Sequence, residues 1–382
     1  MILLKNASVY APEFLGKKDI LICQGKIEAI EDELSLSANL CTQLDCNGLT
    51  VAPGLIDPHV HITGGGGEGS FHTQVPPVQL SQLIQGGVTC VVGLLGTDGI
   101  SRSVENLVAK TKSLTEEGIT AYACTGSYGY PSVTITGDVK KDILFIHEIL
   151  GTKLAVSDHR APHVSFEEFT RLASDCRVAG MLAGKCGMLV MHMGDDPHGL
   201  ELVRRALQDT AIPAKTFHPT HVNRRPALMQ EAFELANKGC YIDMTCGGPQ
   251  DESPAMYIQQ AIQQGVALQQ ITLSSDGMGS WSVYDDSGNL LKMGYSAVDT
   301  VYLELRKMVQ ELQLPLEQAL CFATKNTAQS LGLYPHKGCI RVGSDADFSI
   351  FDADFNLQHV IAGGRLFMQD SVIIRKGCYE PA

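Results

Sequence analysis

The chain has 382 residues, 44% hydrophobic and 19% charged, an ordinary globular composition with room for one large domain and a small one. A formal charge of −13 and a pI near 5.3 argue against nucleic-acid binding, which needs clustered Lys and Arg, and no such run occurs. No stretch approaches the roughly 18 uninterrupted apolar residues of a membrane span, and the 12 cysteines include no Cys-x-x-Cys pair, which suggests reduced core thiols.

Met1-Ile2-Leu3-Leu4-Lys5-Asn6 has no basic segment ahead of its short apolar run, so it lacks the layout of a secretory signal and a cytoplasmic protein is expected. Before about Pro53 the chain reads as short strand-like pieces around turns, Lys17 to Ile22 and Lys26 to Ile30. Eight strand candidates follow: Leu55 to Ile62, Val88 to Leu95, Ile119 to Thr125, Thr152 to Ser157, Met188 to Met193, Lys215 to His221, Tyr241 to Thr245 and Ile271 to Asp276. Between them lie amphipathic helix candidates such as Val104 to Glu117, Phe166 to Ala179, Leu200 to Leu207 and Ala227 to Ala236, several closed by Gly118, Gly180 or Gly239. Alternating strands and helices in that number predict a (β/α)8 TIM barrel over residues 54–342. After about Gly343 short strands return at Asp347 to Phe351, Val360 to Ala362 and Val372 to Lys376. Neither end can bury a core alone, so residues 1–53 and 343–382 are expected to pair into one small β-sandwich domain.

The strand candidates end at informative residues. In His59-Val60-His61 the two imidazoles are two apart on a strand and project from one face, where both can meet one metal. Lys153 lies near the fourth strand, His192 ends the fifth, His221 the sixth, and Asp276 the eighth. Taken singly, each fits a hydrogen-bonded core histidine, a paired lysine or a helix-capping aspartate. Five strands delivering ligand-type residues to one rim is not explained that way. Histidine and carboxylate donors without thiolate suit zinc or a similar divalent ion in an open catalytic site. A lysine ammonium beside two dications is strongly disfavoured, so Lys153 must be neutral, displaced or chemically converted. Carboxylation of its amine by carbon dioxide would make it an anion able to bridge two metals.

Val51-Ala52-Pro53-Gly54-Leu55-Ile56-Asp57-Pro58-His59-Val60-His61 resembles the first-strand signature of the amidohydrolase superfamily, and Gly343-Ser344-Asp345-Ala346-Asp347 resembles its return into the β domain. Within that superfamily the chain is similar nearly end to end to the isoaspartyl (beta-aspartyl) dipeptidase family. The more specific segments are Gly64-Gly65-Gly66-Gly67-Glu68, Gly93-Leu94-Leu95-Gly96-Thr97-Asp98, Ser157-Asp158-His159-Arg160, Pro219-Thr220-His221-Val222-Asn223-Arg224 and Ser274-Ser275-Asp276-Gly277. The resemblance implies His59, His61 and Asp276 on one zinc, His192 and His221 on a second, and N6-carboxylated Lys153 bridging them. It also implies Glu68 on the α-amine of a small dipeptide substrate and Arg224, Thr97 and the Gly66 backbone near its α-carboxylate. Arg160 and Ser280 would take the far carboxylate, with Tyr128 closing over the scissile carbonyl, and the family suggests a homo-oligomer.

One acid and two basic groups match a substrate with one free amine and two carboxylates, and arginine's fork binds both oxygens of a carboxylate. The expected reaction is hydrolysis of the isopeptide bond by a metal-bridging hydroxide, with Asp276 as proton shuttle and Tyr128 donating to the oxyanion. Two rivals are a cyclic-amide hydrolase of the dihydroorotase or hydantoinase type and a non-catalytic barrel scaffold. His72, His147, His163, His198, His218, His336 and His359 fall off the expected rim and read as structural, while Trp281 is a candidate lining of the leaving-residue pocket.

Overall fold

The apolar runs of the central sequence fold as short strands whose residues are nearly all buried, as expected where a parallel sheet closes into a barrel with helices on its outer face and its own side chains filling the inner one. A computed structural model describes residues 1–37, 39–248, 253–285, 287 and 289–381. The barrel strands are β1 (Leu55–Val60), β2 (Val88–Gly93), β3 (Thr120–Gly126), β4 (Ile149–Val156), β5 (Met188–Met193), β6 (Phe217–Thr220), β7 (Ile242–Thr245) and β8 (Ile271–Ser274). Neighbours in sequence are neighbours in the sheet, all parallel. The two ends meet where His61 N donates to Gly277 O at 2.9 Å beside a parallel bridge between Val60 and Gly277.

Each strand is followed by a helix: Leu80–Gln85, Val104–Glu117, Val139–Phe145, Phe166–Ala183, Glu201–Asp209, Pro226–Asn237, Pro254–Gln264 and Thr300–Gln310. The caps explain several boundaries. Ser103 accepts from Asn106 N to open one helix, and Ser165 with Glu168 forms a capping box that opens another. The expected stop at Gly180 is corrected by the structure, since that helix runs on to Ala183 and ends at the left-handed Gly184 (φ 66°). Gly180 is a glycine for another reason: a Cβ there would meet the Gly187 backbone at 2.6 Å, so it permits close packing. Among the described residues no helix is long and apolar enough to cross a membrane.

The chain ends join in one nine-stranded mixed sheet. Thr50–Pro53 runs parallel to Ile2–Tyr10 on one side and antiparallel to Phe348–Phe351 on the other, which stitches the two termini together. A separate apolar core that includes Leu4, Ile20, Val51, Phe348 and Ile361 lies against this sheet. Ile2–Tyr10 was not among the expected strands. A register shift between Leu4 and Ala7, with Asn6 at φ 60°, breaks the alternation that would mark it.

Lys337 pins the return from barrel to sheet. It is 6% exposed, and its ammonium lies 2.5 Å from Asp347 Oδ2 and 2.9 Å from Asp345 Oδ2. Lys337→Ala would leave Asp347 buried with its charge uncompensated, and is expected to lower stability by about 3–5 kcal/mol in urea unfolding. An unchanged midpoint would reject this role.

Candidate active site at the barrel rim

All six candidate ligands converge over the C-terminal ends of the barrel strands. His59 and His61 are 1% and 5% exposed with ring centroids 5.7 Å apart. The ladder from β1 to β2 is irregular between Asp57 and Val60, where Pro58 has no N–H to donate. Lys153, on β4, is fully buried, and its Nζ lies 2.8 Å from His59 Nε2. Asp276, two residues past β8, has Oδ1 3.1 Å from His61 Nε2 and 3.7 Å from His59 Nε2. One ligand atom from each of His59, His221 and Asp276 falls within 4.8 Å of the other two. The His221 ring lies 4.9 Å from that of His59 and 4.6 Å from that of His192. His221 and Asp276 both adopt left-handed backbone (φ 61° and 50°), which is costly outside glycine and turns each side chain over the barrel mouth.

Burial is the largest influence on the histidines, holding His59, His192 and His221 well below the ordinary imidazole range. They are therefore neutral near pH 7, the state in which imidazole can ligate a cation. Lys153 stays within the cluster, its Nζ beside His59 Nε2, and burial brings its amine down to about 7, so it is not obliged to carry a proton. Asp276 Oδ1, the oxygen that faces His61 Nε2 and His59 Nε2, is buried without a hydrogen-bond partner among the described residues. An orphaned carboxylate oxygen among imidazole nitrogens, with no thiol in the cluster, is what a divalent cation would satisfy.

The ligand-type side chains are held from behind. His221 Nδ1 lies 2.6 Å from Thr245 Oγ1, and Asp57, fully buried, accepts from His59 N at 3.2 Å and Ser275 Oγ at 2.5 Å. His192 is engaged at both nitrogens, with Tyr128 OH 2.6 Å from Nδ1 and Asp158 Oδ2 3.1 Å from Nε2. Burial alone would raise the Asp158 carboxyl, but hydrogen bonds from His192 and Arg160 hold it far below the usual carboxylate range. Sequence reasoning assigned no role to Asp57, Asp158 or Thr245. Asp57 and Asp158 lie inside the quoted motifs, whereas nothing near Thr245 marks it.

Beside the cluster is a cavity of about 300 Å³ lined by His61, His192, Asp276 and all seven residues expected at the substrate: Gly66, Glu68, Thr97, Tyr128, Arg160, Arg224 and Ser280. Glu68 accepts from Ser280 Oγ at 2.8 Å and Thr97 Oγ1 at 3.1 Å, with Arg160 Nη1 3.5 Å away. Arg160 lies 5.2 Å over the Tyr128 ring, and Arg224 Nη1 sits 3.5 Å from His192 Nε2. Gly66, Glu68 and Thr97 also line a second cavity of about 770 Å³, edged by Phe71 and Ile100. Trp281 is not part of the 300 Å³ lining. It sits on the hairpin of Ser280–Tyr284 and Leu290–Tyr295, packed so closely on Gly294 that a Cβ there would meet the indole at 2.3 Å.

Residues 50–367 match the model of the Amidohydrolase family. A beta-aspartyl dipeptidase from Fervidobacterium islandicum AW-1, solved in complex with beta-Asp-Leu dipeptide, is 41% identical with a TM-score of 0.92, covering 97% of this chain and 98% of that one. A dihydropyrimidinase from Brevibacillus agri NCHU1002, 15% identical with a TM-score of 0.71 over 98% of this chain and 96% of that one, shares the fold. A dihydroorotase from Listeria monocytogenes serotype 4a (strain HCC23) is 34% identical over 127 residues, 32% of this chain and only 29% of that protein's length. The family match takes in both the barrel and strands that flank it, and the alignment at 41% identity covers almost the whole of both chains, so the chain belongs to the amidohydrolase family and, within it, to the beta-aspartyl dipeptidase family.

Proposed function

We propose that this chain hydrolyses the isopeptide bond of β-aspartyl dipeptides at a centre of two zinc or similar divalent ions. His59, His61 and Asp276 would hold one ion, His192 and His221 the other, with carboxylated Lys153 between them. Bound there, the ions would supply Lewis acidity for the amide carbonyl and lower the pKa of water towards neutrality. The observation that carries the substrate assignment is the charge set of the cavity, in which Glu68 faces Arg160 within walls shared with Arg224. Glu68 binds the substrate's α-amine, while Arg224, with Thr97 and Gly66, and Arg160, with Ser280, take its two carboxylates. Tyr128 donates a hydrogen bond to the carbonyl oxygen as charge develops on it. Asp276 accepts the proton of the attacking water and passes it to the departing amine. Division into a barrel of residues 54–342 and a terminal domain, a cytoplasmic location and a homo-oligomeric state belong to the same reading.

The dihydroorotase alternative rests on the 127-residue match. Dihydroorotate brings no ammonium group to Glu68, which would then face Arg160 alone. The deciding experiment compares β-Asp-Leu, α-Asp-Leu and dihydroorotate on purified protein whose metal content is measured on the same sample. Cleavage of β-Asp-Leu alone, abolished by a chelator and restored by zinc, is expected. A preference for dihydroorotate would overturn the assignment. N-acetyl-β-Asp-Leu should be cleaved about 10²-fold less efficiently or worse, because Glu68, already half-buried, would be covered without its ammonium partner. Equal cleavage of the two dipeptides would remove Glu68 from substrate recognition.

A further inference from the structure

We propose that Asp158 is a positioning residue whose single carboxylate fixes both the candidate metal ligand His192 and the substrate arginine Arg160. Its own placement is enforced by the backbone. Ser157, directly after β4, is left-handed (φ 54°), and the turn leaves Asp158 only 2% exposed. Gly194, directly after β5, leaves the space the carboxylate fills, since a Cβ there would lie 2.5 Å from Asp158 Oδ2.

Both oxygens are fully used. Oδ1 accepts from the Arg160 backbone N at 2.8 Å and from its Nε at 2.9 Å. Oδ2 accepts from Arg160 Nη2 at 2.9 Å and lies 3.1 Å from His192 Nε2, with Arg224 Nη1 3.8 Å away. His159 Nδ1, on an exposed ring, is 3.6 Å from Oδ1. Asp158 Oδ2 at 3.1 Å is nearer to His192 Nε2 than the donor-only Arg160 Nη2 at 3.3 Å and Arg224 Nη1 at 3.5 Å, and a carboxylate can only accept, so Nε2 carries the proton and Nδ1, 2.6 Å from Tyr128 OH, keeps the lone pair. The same carboxylate grips the guanidinium edge-on, leaving Nη1 of Arg160 turned towards Glu68 at 3.5 Å. One anion thus sets a ligand's tautomer and a substrate-binding fork together. For Arg160 the argument rests on the dipeptidase reading, whereas for His192 it rests only on cation binding.

Asparagine is the sharp test, because its NH2 faces donors whichever way the amide is turned. Asp158→Asn is expected to weaken zinc affinity about 10–100-fold in a chelator competition. It should also reduce the preference for β-Asp-Leu over β-Asp-leucinamide, which lacks the leaving carboxylate, to a few-fold or less. Arg160→Gln leaves the Asp158–His192 contact in place, so it should lose the same preference yet keep wild-type zinc affinity. Should Asp158→Asn fail to fold, Asp158→Ser, small enough for the space beside Gly194, carries the same expectation. Wild-type zinc affinity or an undiminished carboxylate preference in the Asp158 variant overturns the shared role, as does a loss of zinc affinity in Arg160→Gln. A wild type that binds zinc but leaves β-Asp-Leu intact would sink the dipeptidase reading instead, and the zinc measurements would still decide the His192 half.

Discussion

Asp276→Asn is expected to cut turnover of β-Asp-Leu by about 10²–10⁴-fold, the span over which a positioned proton-transfer group acts, while zinc content stays at the wild-type level. The expectation follows from where the residue sits. Its left-handed backbone (φ 50°) carries the carboxylate past the end of β8 to within 3.1 Å of His61 Nε2, and that oxygen has no hydrogen-bond partner among the described residues. Asparagine keeps an oxygen that can face a cation but has no second basic oxygen to take a proton. The side chain is only 15% exposed, so bulk water does not readily replace it as the base. Turnover and bound zinc should be measured on the same preparation. Near-normal turnover would reject the shuttle, and zinc lost in step with activity would reduce Asp276 to a ligand.

Much of this site was legible before the fold, for a definite reason. Strands buried on both faces read as unbroken apolar runs, so a histidine closing such a run, as in Met188–Met193, stands out against its neighbours. His59, His61, His192, His221 and Asp276 are polar residues at or just past the ends of apolar segments, whereas Lys153 lies inside one, the fifth of the eight residues of β4. What stayed hidden depends on contacts between distant segments. Asp158 is an ordinary loop aspartate until β5 brings His192 beside it, and Thr245 has meaning only through His221 Nδ1. Gly180 misled because a helix-ending glycine and a close-packing glycine look alike in sequence, and the partner that distinguishes them, Gly187, belongs to the next strand's approach. The terminal sheet was half visible. Phe348–Phe351 has a clear β pattern, whereas the irregular pairing in Ile2–Tyr10 erased the period on which strand recognition relies.

The identity of the bridging group is the assumption on which the two-ion proposal turns, and Lys153 gives it a separable test. The side chain is fully buried with its amine 2.8 Å from His59 Nε2, and burial has already brought its pKa to about 7. An unprotonated amine is the form that can attack carbon dioxide, forming the N–C bond of a carbamate as one N–H proton passes to water, so the barrel interior favours the reactive state. Lys153→Ala and the volume-preserving Lys153→Met should both bind fewer than two zinc ions per chain and lose turnover by about 10²–10³-fold or more, comparable with deleting one preorganised charge-stabilising group. Methionine fills the space of the lysine stem, so its melting temperature in the metal-free state should match or exceed that of the metal-free wild type, which must bury an amine in the same place. If the methionine variant folds in that way and still holds two tightly bound ions, the bridge is not Lys153 and the ligand assignment must be redrawn around the histidines and Asp276 alone.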